Sequence, residues 1–74
     1  MSDLRSSFGA AIRATRTRKG WSQERLADET GLDRTYVSSL ERGRRNPTLT
    51  TQERLAHALG TTLHELIKEA EGES

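Results

Sequence analysis

Between Gly31 and Pro47 the chain reads GLDRTYVSSLERGRRNP, a stretch rich in side chains that hydrogen-bond to anions and to flat polar edges. Hydroxyls stand at Thr35, Ser38 and Ser39, arginines at 34, 42, 44 and 45, and Tyr36 lies among them. If the stretch is helical, at about 100° per residue, Val37 and Leu40 point one way. Thr35, Ser38, Ser39 and Arg42 then point roughly the other. Short hydroxyls let a helix approach a surface closely, and arginine reaches phosphates and the N7/O6 edge of guanine. That mixture suits a helix entering a major groove. A polar surface helix with ordinary arginines is the other reading, although this side carries few acids and no i,i+4 acid–base ladder.

The local signals define where such a helix begins and ends. Asp33 can cap it, its carboxylate accepting from the free amides of the first turn. Leu32 before the cap and Val37 at the fourth helical position have the spacing of a hydrophobic staple. Arg42 suits the last turn and Gly43 sits just past it, where helices stop. Upstream, SQERLADET forms a second helical segment with Ser22 as its cap, Glu24 in its first turn, and Leu26 and Ala27 facing inward. Only Gly31-Leu32-Asp33 separates the two segments, which is the spacing of a helix-turn-helix over about residues 22–42. Trp21, just before the cap, reads as a partly buried lid, with a base-stacking platform as the alternative.

The remaining elements must hold that pair in place. A first segment from about Leu4 to Lys19 sets Leu4, Phe8, Ala11, Ile12 and Thr15 on one face and stops at Gly20. Gly9 costs this helix about 1 kcal/mol relative to Ala, which points to a close helix–helix approach. Beyond Pro47, Thr50-Thr51-Gln52-Glu53 reads as a capping box ahead of Leu55, Ala56, Ala58, Leu59 and the stop at Gly60. Thr62-Leu63-His64-Glu65 is a second box, ahead of Leu66 and Ile67. The acidic tail from Glu69 to Ser74 is expected to fray. Period-two β-branched runs are absent, so the expectation is an all-α, compact five-helix domain spanning 1–74 without linkers or repeats.

Composition bounds the function. Seventy-four residues allow one small core, and with 31% hydrophobic residues and a mean hydropathy of -0.83 a monomer is marginal, so pairing with a second copy is expected. No apolar run is long enough for a bilayer and no signal peptide follows Met1, which makes a cytoplasmic protein the default. The net charge of +1 conceals segregation: residues 1–45 carry +4 and residues 46–74 carry -3. One half could therefore face a polyanion. The chain has no cysteine, and its two histidines fall on different segments, so no metal site or cofactor is expected. Phosphate-cradling loops, nucleophile elbows and carboxylate dyads are missing too, and an enzyme is not expected.

The order of these pieces resembles the Cro/C1-type (XRE) helix-turn-helix transcriptional regulators. The matching residues are Phe8-Gly9, Ile12, Arg13, Arg16, Gly20-Trp21-Ser22-Gln23, Leu26-Ala27, Gly31-Leu32, Tyr36-Val37, Leu40-Glu41-Arg42-Gly43, Asn46-Pro47, Leu49, Arg54-Leu55-Ala56, Ala58-Leu59-Gly60 and Glu65-Leu66. They cover about Ser7 to Ile67. More narrowly, Asp33-Arg34-Thr35-Tyr36, Ser38, Glu41-Arg42 and Arg45-Asn46 resemble the recognition segment of restriction–modification controller proteins.

The resemblance implies a lambda-repressor-like domain whose helix from Arg34 enters the major groove. Arg34, Thr35, Tyr36 and Ser38 would meet bases, while Ser22, Gln23, Ser39, Arg42, Arg44, Arg45 and Asn46 would meet phosphates. Arg16 and Glu41 would form a structural pair between the first helix and the end of the recognition helix. It further implies a homodimer through about residues 49–70, with Leu49, Leu59, Leu63 and Ile67 at the interface, on a palindromic operator in double-stranded DNA. No small-molecule ligand and no membrane partner are expected. An autoregulatory controller of restriction–modification genes is the leading function. An antitoxin or phage-type repressor on the same scaffold, whose main partner is another protein, is the alternative.

Overall fold

A computed structural model describes residues 3–72. It contains five helices: α1 (Leu4–Arg18), α2 (Gln23–Thr30), α3 (Arg34–Glu41), α4 (Leu49–Ala58) and α5 (Leu63–Gly72). Among the described residues there is no strand. Every helix starts on a side-chain acceptor, because the first amides of a helix have no partner within it. Asp3, Ser22, Asp33 and Thr48 cap α1 to α4, and Thr62 Oγ1 takes the Glu65 amide at 3.1 Å to open α5.

Thr48 corrects the sequence reading, which starts α4 from a box at Thr50. Thr48 Oγ1 accepts the Thr51 amide at 3.2 Å, and the Gln52 side chain reaches back to the Pro47 carbonyl at 3.0 Å. Those bonds secure a start two residues earlier. The tail is a second correction. Instead of fraying from Glu69, α5 runs through Gly72, because Ala70 is fully buried and extends the stripe of Leu63, Leu66 and Ile67. The expectation for Glu73 and Ser74 lies outside the described residues.

The core gathers Phe8, Ala11 and Ile12 of α1 with Leu26, Ala27, Val37, Leu40, Leu55, Ala56, Leu66 and Ala70. Leu4, expected on the buried face, is 56% exposed. It stands in the first turn of α1, on the rim of a groove with Phe8, Pro47 and Ile67. Leu59, expected at a dimer interface, is only 3% exposed and belongs to the protomer's own core, so that assignment is withdrawn.

Two glycines set the pose of α3. Gly31 ends α2 at a φ of 74°, a conformation costly for residues with a Cβ, and lets the chain turn within three residues. Gly9 lies against the end of α3: a Cβ there would collide with the Leu40 carbonyl oxygen and sit 3.0 Å from that of Glu41. The predicted close approach is thus made by α1 against the backbone of α3.

Candidate nucleic-acid interface

Helix α3 has a buried side formed by Val37, Leu40 and Glu41 and an outward side that is only partly covered by the rest of the described chain. Arg34, Thr35 and Arg42 are exposed, while Tyr36, Ser38 and Ser39 are half-buried. Asp33 caps the helix as expected, its carboxylate taking the Thr35 amide at 3.4 Å. Leu32 is half-buried against the core cluster that holds Val37, as the staple requires.

The far end is closed by paired bonds, Gly43 N–H to the Leu40 carbonyl and Arg44 N–H to that of Ser39, both 3.0 Å. They satisfy carbonyls that the helix leaves free and fix the direction in which the chain departs. Gln52 holds the other end of this connection at Pro47. Arg44, Arg45 and Asn46 are therefore exposed on a short segment anchored on both sides. The Arg45 guanidinium lies 5.3 Å from the centre of the Tyr36 ring, an attraction between cation and ring face that ties this segment to α3.

Four arginines without a carboxylate partner gather at this edge, while the exposed Arg13, Arg54 and Lys68, also unpaired among the described residues, lie elsewhere on the surface. Arg5, Arg18 and Arg25 pair with Asp3, Glu69 and Glu29. Arg34, Arg42, Arg44 and Arg45 have no carboxylate partner among the described residues. Their charge is left to act on something outside the chain. Trp21 is half-buried, as a lid should be, with the Arg25 guanidinium 4.5 Å and the Lys19 ammonium 4.8 Å from its ring centre.

Behind the open side lies a polar lock. Arg16 of α1 donates to both carboxylate oxygens of Glu41, Nε to Oε2 at 2.7 Å and Nη2 to Oε1 at 3.0 Å. Its remaining terminal nitrogen, Nη1, donates to the Trp21 carbonyl at 2.7 Å, just ahead of the α2 cap. The Glu41 side chain is 2% exposed and that of Arg16 10%, so the pair is buried as well as bidentate. The hydrogen-bonded carboxylate raises the pKa of the Arg16 guanidinium above its ordinary range, against the opposing effect of burial.

Ser22 Oγ caps α2 by accepting the Arg25 amide at 3.0 Å. Gln23 differs from expectation. Its Nε2 donates to Glu41 Oε1 at 3.0 Å, turning the amide inward to α3. No periodicity marks that link in the sequence, since one polar residue at a helix start looks like any other. On the opposite chemistry, Leu49 is 72% exposed at the start of α4, and Leu63 and Ile67 are half-buried.

Two helices joined by a three-residue turn, the second open and fringed by unpaired arginines, define a helix-turn-helix domain of the DNA-binding kind. The family model described as helix-turn-helix matches residues 12–66, and the chain belongs to that family, among its XRE-type transcription regulators. A hypothetical transcription factor of Neisseria meningitidis is 49% identical over 65 residues, covering 88% of this chain and 61% of that protein. The control protein C.MunI of a Mycoplasma species is 42% identical over 74 residues, 99% of this chain and 100% of that one. Among solved structures, the restriction–modification controller protein C.Esp1396I, a tetramer in complex with its natural 35-base-pair operator, superposes with a TM-score of 0.82. It is 39% identical, over 96% of this chain and 99% of that one.

Proposed function

We propose that this chain regulates transcription by binding a palindromic DNA operator as a homodimer, and that it controls the genes of a restriction–modification system. The observation that carries this reading is the outward side of α3, where Arg34, Thr35 and Arg42 are exposed and the arginines at both ends have no carboxylate partner among the described residues. Arg34 takes a guanine through its paired N–H groups, and Thr35 offers its methyl to a thymine. Tyr36 and Ser38 stand close behind them. Ser22, Ser39, Arg42, Arg44, Arg45 and Asn46 hold phosphates, which positions the domain without choosing a sequence.

Geometry favours two copies. One protomer measures 32 × 22 × 22 Å and carries a single recognition helix. Reading both halves of a palindrome, about 34 Å apart, takes a second one. Leu49, Leu63 and Ile67 supply the apolar contact between protomers. The similarity to C.MunI along its whole length supports the controller role in particular.

Selection from random palindromes by gel shift tests the proposal. Enrichment of one palindromic sequence at moderate salt is the expected outcome, and uniform recovery defeats it. Methyltransferase and endonuclease genes beside this one are expected for a controller; a toxin gene there would point to the antitoxin reading.

A further inference from the structure

The inward bond of Gln23 joins the first residue of α2 to the last residue of α3, so the two outer ends of the helix-turn-helix meet at one carboxylate. The turn at residues 31–33 fixes the near ends; Glu41 fixes the far ones. Its oxygens accept from Arg16 twice and from Gln23 once. A carboxylate only accepts, so the Gln23 amide must present its nitrogen to Glu41. Arg16 holds α3 to α1, and the bond from Gln23 is the polar tie within the reading unit itself.

We infer that Gln23 is a positioning residue for specificity, setting the angle of α3 through Glu41. The inference rests on the operator-binding reading above. Base-edge hydrogen bonds tolerate little displacement, whereas long arginines reach phosphates from many poses. Loosening the far end of α3 therefore costs base discrimination and spares the attraction common to all DNA. A Gln23 that served as a phosphate ligand would behave differently, since its loss would weaken binding to every sequence alike.

Gln23→Met separates the two, because methionine keeps the length and bulk of the side chain and lacks the donor. The full chain is titrated on its selected operator and on a scrambled duplex over a range of salt. Ile12→Val, a core truncation, serves as the stability control. The expected result is a drop of about tenfold in the operator-to-scrambled affinity ratio. Affinity for the scrambled duplex and its salt slope stay as in the wild type, and Ile12→Val leaves the ratio unchanged. Equal losses on both duplexes overturn the inference in favour of a phosphate ligand, and so does an unchanged ratio. A ratio that falls as far in Ile12→Val overturns it too, since general loosening would then suffice. If the wild type itself selects no sequence, the operator-binding reading fails first and this inference with it.

Discussion

Helices α3 and α5 each leave a side open, and the two sides are opposite in chemistry and in how they are held. The open side of α3 is hydroxyl and guanidinium, and α3 is fastened from behind by a buried bidentate ion pair and by backbone contact at Gly9. Helix α5 shows half-buried Leu63 and Ile67 and is fastened mainly by apolar packing on α1, with the surface pair Arg18–Glu69 at 3.1 Å. Hydrogen-bonded recognition of base edges needs a fixed pose, whereas apolar contact between copies forgives small shifts. Directional bonds accordingly sit behind the side that must be aimed.

The sharpest way to break this contrast is to remove each fastening. Arg16→Ala leaves Glu41 buried without its cation and should cost about 3–5 kcal/mol, read as a fall in the urea midpoint. Arg18→Ala, at an exposed pair, should cost well under about 1 kcal/mol. Comparable losses would erase the distinction. The wild-type pair is insensitive to ordinary pH on its basic side. The hydrogen-bonded Glu41 raises the Arg16 pKa above the ordinary guanidinium range, so this contribution is complete throughout the ordinary pH range and is lost only as pH climbs through the raised value.

Gly9→Ala tests the backbone contact. The added methyl meets the Leu40 carbonyl, which cannot move without moving α3, so stability should fall by about 1–3 kcal/mol. Operator affinity should fall further than stability alone explains, when measured under conditions where the variant is fully folded. If the variant is as stable as the wild type, α3 is not wedged against α1 as described.

Much of this arrangement was legible in the sequence because it rests on local chemistry. Ser22 and Asp33 announce their helices by type and position, and Gly9 in the middle of a helical stripe has few explanations other than close approach. The spacing 63, 66, 67, 70 is a signal for a longer α5, and the acidic residues on either side of Ala70 mask it. The box at Thr50 points to a later start for α4 than the one observed at Thr48, which Gln52 secures by reaching back to Pro47, a contact that no pattern encodes. Leu59 and Leu63 look alike in sequence, and only packing shows that one completes the core while the other stays half-open. The side chains proposed to meet DNA are legible as types; that Gln23 turns inward is not.

Within the open side of α3, the expected effects divide by kind. Arg34→Ala should weaken operator binding by about 1–3 kcal/mol and relax the preference at one base position. Arg44→Ala should weaken all duplexes together and lower the salt slope by about 1. Selection profiles and salt titrations of the two variants distinguish them, and interchangeable behaviour would mean that α3 is not the reading element.

The smallest effect on the fold is expected at the other open side, and there the informative quantity is its dependence on concentration. Leu49 is 72% exposed, so Leu49→Gln should change the stability of a single protomer by no more than about 0.5 kcal/mol. If Leu49 seats against a second copy, the wild-type melting temperature rises with protein concentration, because association stabilises only the folded chain. The variant should flatten that rise and show a lower mass in sedimentation at the same concentration. A wild-type melting temperature that ignores concentration across the range where the operator is half-bound would place the second copy on the DNA rather than in solution. The apolar side of α4 and α5 would then be a contact made only after α3 has found its groove.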